Sequence, residues 1–312
     1  MNSPKKLNYE LRPAKFTERK MLLSCFLRIC NQYKDKYQYV GLGGLSFTDF
    51  KLFHKELHID EMYSFEGGNF SMDKLKVNCP YSFIKIIKEK STSALTKIDL
   101  TKKSLVWLDY DDTLDNYMFE DLSILMNKLP VGSIYLMSCN RELKSGDTGE
   151  VYSVEEFKSK FGNLVPFNLI NKNLSGSEDY QTIRKMFSTL INKIINERNR
   201  NGENIVFHQL FHLLYQENRG AKMYTFGGVI TESDKTFEGL NLSDFEFIKN
   251  EDYEYKIDIP NLTIKEIELI NKNLFETANL QDFIERKIVT EREIEKYNST
   301  YKYLPNYFDV RM

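Results

Sequence analysis

The clearest pattern along the chain is an apolar run that passes into glycines and then into a helical stripe. Residues 39–66 read YVGLGGLSFTDFKLFHKELHIDEMYSFE. An apolar strand enters Gly41, Gly43 and Gly44, and Phe47, Phe50, Leu52, Phe53 and Leu57 follow at helical spacing. A second strand, Met62 to Phe65, ends on Glu66. The spacing predicts a βαβ unit. Further on, residues 82–88 and 132–138 read as strands, and 115–129 as a helix. Residues 104–109, SLVWLD, form a fully apolar strand ending in Asp109, the pattern of a buried parallel strand. A short helix is expected in the polar stretch on one side or the other of the third strand. The alternation predicts an α/β fold: a doubly wound, mostly parallel sheet with helices on both faces.

The flanks add helices. Residues 17–33 carry Met21, Leu22, Cys25, Phe26, Ile29 and Cys30 on one face, with Thr17 as the expected N-cap. Residues 141–180 are rich in Gly, Ser, Asn and Asp, and read as an insertion or lid holding one short helix, VEEFKSKFG. Residues 181–199 form a strong amphipathic helix, and 203–216 read as another. MYTFGGVI at 223–230 and FEFIKN at 245–250 read as an antiparallel pair at one sheet edge. Thr263-x-x-Glu266 and Thr290-x-x-Glu293 fit capping boxes that open C-terminal helices before an aromatic tail, YKYLPNYFD. The expected division is an N-terminal helical segment, 1–36, an α/β domain, 37–250, and a C-terminal helical extension, 251–312.

Composition narrows the classes. The chain has 312 residues, 41% of them hydrophobic, enough for one large core. No apolar run approaches the ~18 residues of a membrane span, and the N-terminus lacks a signal-peptide pattern, so the expected location is the cytoplasm. Cys25, Cys30, Cys79 and Cys139 have no C-x-x-C spacing and read as reduced thiols. The balance of 43 basic and 45 acidic residues gives no strong nucleic-acid signal.

The glycine loop with Glu66 is the first candidate site. Glycines let a backbone approach a ligand, a helix N-terminus offers N–H groups, and a carboxylate ending the second strand accepts ribose hydroxyls. The interval from Gly44 to Glu66 is close to the roughly 20 residues such sites use. The same loop also fits a turn that only packs helix against sheet. The second candidate is VWLDYDDTLD, where Asp109 and Asp111 fall at the carboxyl end of a buried strand, while Asp112 and Asp115 suit a solvated turn and a helix cap. Asp49 falls within the helix after the loop, as a surface residue or a second polar contact. The histidines form two i,i+4 pairs, His54/His58 and His208/His212. On helices each pair would share a face, but neither has the Glu placement of H-E-x-x-H, and no metal site is expected. His54 stands as a candidate base. Ser138-Cys139-Asn140 ends the fifth strand, as a crevice border or a loop start.

With these residues in place, the order resembles a class I S-adenosylmethionine-dependent methyltransferase over about residues 37–140. The resemblance implies that Gly41, Gly43 and Gly44 approach the cofactor, S-adenosylmethionine, that Glu66 binds its ribose, and that Asp109 and Asp111 face donor and substrate. Asp109, Asp111 and His54 are then the candidate catalytic bases, acting on an unknown small-molecule or other acceptor. YVGLGGLSFTDFKLFHKEL and VWLDYDDTLD further resemble an uncharacterised bacterial O-methyltransferase-like group, through Asp49-Phe50, Leu52-Phe53-His54 and Leu108-Asp109-Tyr110-Asp111. The loop departs from the usual G-x-G-x-G, and Gly67-Gly68 follows Glu66. LDYDDTL is also similar to the D-x-D-x-T motif of haloacid-dehalogenase-like phosphatases, which implies Asp109 as nucleophile, Asp111 as acid/base, magnesium, and Ser138 as a phosphate-binding hydroxyl. A third reading is a methyltransferase-like module without catalysis, binding a protein partner, in bacterial defence or regulation.

Overall fold

The computed structural model describes residues 12–305, apart from 147, 218–219, 234–238, 250–252 and 275. The aromatic tail expected at 301–309 therefore lies partly outside the described residues.

Among the described residues, eight strands form one sheet: β1 (Gln38–Leu42), β2 (Glu61–Phe65), β3 (Ile84–Ile87), β4 (Ser104–Thr113), β5 (Ile134–Asn140), β6 (Ile205–Gln216), β7 (Lys222–Glu232) and β8 (Tyr255–Ile257). Their order is β3-β2-β1-β4-β5-β7-β6-β8. The first five are parallel, β7 runs antiparallel to both β5 and β6, and β8 is parallel to β6. The chain winds outward from β1 to β3, then returns to β4 on the other side. The crevice at such a reversal, outside the carboxyl ends of the strands, is where open α/β sheets bind ligands.

Alternation along the strands sends side chains to two cores. Val40, Val106, Leu108, Met137 and Phe226 face α5 (Asn116–Lys128) and α7 (Asp179–Arg200). Tyr39, Met62, Leu105, Trp107 and Leu136 face α1 (Pro13–Tyr33) and α2 (Thr48–Leu57). Both layers are closed to water, and each fully buried apolar side chain of this size stabilises the fold by roughly 1.5–3 kcal/mol. The short helices α3 (Met72–Asn78) and α4 (Ser91–Leu95) flank β3. Buried Asp121 of α5 accepts hydrogen bonds from Ser91, Thr92 and the Tyr110 hydroxyl, pinning α4 and β4 to α5.

The insertion holds α6 (Val154–Phe161), opened by a Ser153/Glu156 capping box. Both C-terminal capping boxes form, at Thr263 for α8 (Ile264–Lys272) and Thr290 for α10 (Glu291–Thr300). With α9 (Thr277–Glu285) these helices share a small core of their own.

Three expectations are corrected. Thr17 is not an N-cap: α1 begins at Pro13, whose missing N–H costs nothing in a first turn, and Glu217 accepts from the Lys15 backbone N–H. Residues 205–216 are a strand, not a helix. The β-bulge between Gln209 and Phe211 shifts the phase of alternation, so the apolar and polar positions of IVFHQLFHLLYQ follow no single two-residue period. The antiparallel pair is accordingly β6–β7. Residues 245–249 form no strand beyond a bridge between Ile248 and Phe211, and β8 follows instead.

Candidate functional site

Helices α1 and α2 both begin at the carboxyl edge of the sheet. Strand β1 ends at Leu42, the chain turns through Gly43 and Gly44, and Phe47 opens α2, its N–H bonded to the Gly43 carbonyl at 3.0 Å. The three glycines have different causes. Gly41 lies within β1, where an added Cβ would meet the Tyr39 hydroxyl at 2.4 Å and the Trp107 carbonyl at 3.1 Å. Gly43 would meet Ser64 Oγ at 2.3 Å and the Phe47 ring at 2.9 Å. Gly44 has φ +54°, with nothing within 4 Å of its would-be Cβ. Gly41 and Gly43 thus serve close packing, and Gly44 is the glycine that faces open space.

Glu66, half-buried, ends β2 and accepts from the Gly68 N–H at 2.9 Å. Burial raises its pKa, the Gly68 N–H opposes this, and the charge of Asp111 raises it again. Glu66 and Asp111 follow the carboxyl ends of β2 and the parallel part of β4, on the edge that holds the switch point. Asp111 is exposed, because the register of β4 on β5 breaks between Asp109 and Thr113. Such irregularities commonly re-aim side chains beside functional sites. Asp115 caps α5 through the Asn116 N–H at 2.7 Å, as expected, and Asp112 lies within 3.4 Å of the Tyr117 hydroxyl.

Asp109 is placed differently from its motif neighbour. Its side chain is 8% exposed and turns under α1, with Oδ2 2.6 Å from Lys15 Nζ and 3.0 Å from Arg19 Nη2. Burial pushes its pKa up, but the two cations prevail and hold it below the usual carboxylate value. Arg19 also donates to both oxygens of Asp49, at 2.5 and 3.0 Å, and stacks over Trp107 at 4.7 Å. Asp49 is thus neither a surface residue nor a crevice contact. Glu18, fully buried beside them, accepts from Thr225; burial pushes its pKa up to about 7, opposed by Arg19. Ser138 accepts from Trp107 Nε1 at 2.9 Å and pairs with Thr225, so it is a core residue.

This arrangement is at odds with Asp109 as a base or nucleophile, and with Ser138 as a phosphate ligand. Asp109 is a counter-ion with two cations already on it, whereas Glu66 is half-buried and Asp111 exposed. His54 does not reach the crevice. It lies near the far end of α2, its Nδ1 2.9 Å from Asp60, against the rings of Tyr81 and Phe83 that precede β3. His58 is the exposed C-cap of α2. His208 pairs with Val229 and His212 with Phe226, which belong to opposite cores, so the bulge separates that pair across the sheet. Among the described residues, no group of three or more His, Cys, Asp or Glu is placed to hold a metal ion. No helix among them is long and apolar enough to cross a membrane.

Lys15, Glu18 and Arg19 were missed because charged residues are assigned to solvent by default. The signal was present: positions 15, 18, 19, 22, 26 and 29 continue one i, i+3, i+4, i+7 stripe. A cavity of about 230 Å3 lies apart from the glycine loop, between the insertion and the first turns of α7, lined by Pro166, Leu169, Asn173, Glu178, Gln181 and Lys185 among others.

Among solved structures, the chain is similar to the plantazolicin methyltransferase BamL, solved with a triazolic desmethylPZN analogue and SAH. Identity is 9% and the TM-score 0.41, over 70% of this chain and 86% of that one. It is also similar to an rRNA methylase from Streptococcus thermophilus, at 7% identity and TM-score 0.33 over 64% and 89%. A third likeness is to Trm1 from Pyrococcus horikoshii, solved with S-adenosyl-L-methionine, at 10% identity and TM-score 0.42 over 69% and 56%. No curated protein matches the sequence significantly. The model of one family, described as "Putative O-methyltransferase", matches residues 7–312, and the chain belongs to that family.

Proposed function

We propose that this chain transfers a methyl group from S-adenosylmethionine to an oxygen or nitrogen nucleophile, with the donor at the carboxyl ends of β1, β2 and β4. The observation that carries the reading is the switch point between β1 and β4, with Gly44 after β1, Glu66 after β2 and Asp111 near the end of β4 on that edge. These residues fit a nucleoside. Gly44 leaves its backbone open to a ligand, and Glu66 is half-buried with one carboxylate oxygen on the Gly68 N–H. Glu66 would accept the ribose hydroxyls. Bound there, the donor supplies an electrophilic methyl group for in-line displacement. The protein's part is alignment and removal of the acceptor's proton. Asp111, the exposed acid at the edge, takes that proton in this reading, and Asp109 and His54 do not. The insertion leaves β5 at the same edge and would shape the acceptor's entrance.

Calorimetry with S-adenosylmethionine and with its demethylated product tests the proposal. The expected result is one-site binding. Folded protein that binds neither at high micromolar concentration sinks the reading.

A further inference from the structure

The two sequence motifs that stand out most, the aromatic-helix motif that starts at Asp49 and the strand end at Asp109, meet on one guanidinium. Arg19 donates through Nε and Nη2 to both oxygens of Asp49, and through Nη2 to Asp109 Oδ2 at 3.0 Å. All three side chains are nearly closed to water, at 3%, 8% and 8% exposure. Asp49 is in the first turn of α2, the helix that the glycine loop opens, and Asp109 is at the end of β4. These elements lie on the two sides of the switch point. The Arg19 plane also stacks on Trp107, whose Nε1 is held by Ser138 of β5, so the guanidinium is fixed in orientation as well as position. Lys15 carries a second charge to Asp109 from the same helix face.

We propose that Arg19 is a positioning residue for the donor site. The Asp49–Arg19–Asp109 bridge sets the distance between the glycine loop and the end of β4, and so the width of the crevice. A fork suits this task. Guanidinium bonds two carboxylates in one plane at defined angles, whereas an ammonium is a point charge on a flexible stem. Arg19 also lies 3.6 Å from the buried Glu18, but the carboxylates it hydrogen-bonds are Asp49 and Asp109. A helix packed on a sheet face is ordinarily held by apolar side chains, and burying ions is costly unless their geometry is used. This inference rests on the proposed donor site, and its test is built to fail separately from that proposal.

The test uses the full chain as Arg19→Lys and Asp49→Asn, with Arg198→Lys as a comparison. Arg198 fastens the far end of α7 to the Met126 and Leu129 carbonyls and to Glu203, away from the crevice. Two quantities are read: the affinity for S-adenosylhomocysteine, and amide exchange at Phe47 and Lys51, whose N–H groups bond the Gly43 and Phe47 carbonyls. Arg19→Lys and Asp49→Asn are expected to weaken binding about tenfold, the factor for one charge-assisted bond, and to speed exchange at both amides. Arg198→Lys should lower the melting temperature and change neither. Asp49→Asn keeps the shape of the residue and leaves Arg19 on Asp109, so it reads the bridge even where Arg19→Lys folds poorly. The inference is overturned if both bridge variants bind as the parent does, or if the loop amides exchange at parental rates. A parent that does not bind S-adenosylhomocysteine removes the donor proposal, and the exchange rates still decide on the bridge.

Discussion

Two carboxylates, two residues apart on one strand, live in opposite surroundings. Asp109 is buried under α1 with Lys15 and Arg19 on one oxygen. Asp111 is exposed, and its charge helps to raise the pKa of Glu66. The first ties α1 to the end of β4, and the second stands at the surface. The strand's irregularity after Asp109 makes the difference, because it releases the following residues from strict alternation. An acid at the end of a β4-type strand is therefore not by itself a crevice residue.

The comparison breaks most visibly at Asp109. Asp109→Asn leaves two buried cations short of a counter-charge and should cost about 3–5 kcal/mol. Asp111→Asn, at an exposed position, should stay within about 0.5 kcal/mol. Urea denaturation of the two variants reads this directly, and equal losses would end the distinction.

The next effect is in pH. Glu18 has a folded pKa of about 7 against an ordinary 4.5, so the folded state holds its proton more tightly than the unfolded one. The stabilisation from that proton is complete below pH 4.5 and is lost as the pH rises through 7. A shift of this size corresponds to on the order of 3 kcal/mol. Glu18→Gln should remove this slope, so that the difference in stability between variant and parent widens in the variant's favour from pH 5 to pH 8. A difference that stays constant over that range contradicts the assignment.

At the open edge the effect should be on binding, not stability. Glu66→Gln should weaken the affinity for S-adenosylhomocysteine by about 1.5 kcal/mol, roughly tenfold, with little change in the melting temperature. Calorimetry on parent and variant checks this, and unchanged affinity would remove Glu66 from the site. The smallest effect is expected at His54, at the far end of α2. His54→Ala should leave donor affinity unchanged and cost no more than about 1 kcal/mol, since its partner Asp60 is exposed and such pairs contribute little.

Much of this architecture was legible because it follows from local periodicity. The strand, glycine and helix pattern of residues 39–66, the apolar run at 104–109 and the two capping boxes each specify structure over a few residues. The sequence by itself determined the parallel half of the sheet, the place of the glycine turn and the acid ending β2. Only the tertiary structure decided the rest. It took β6 out of the helical class, because a bulge hides alternation. It sent His54 away from the crevice, because a helix that starts at one edge of a sheet ends at the other. It turned Asp109 and Asp49 inward, because charged residues on the buried stripe of α1 needed partners that lie 30 and 90 residues away from Arg19. Periodicity tells which face a residue takes, but a buried charge finds its partner only when distant elements are brought together.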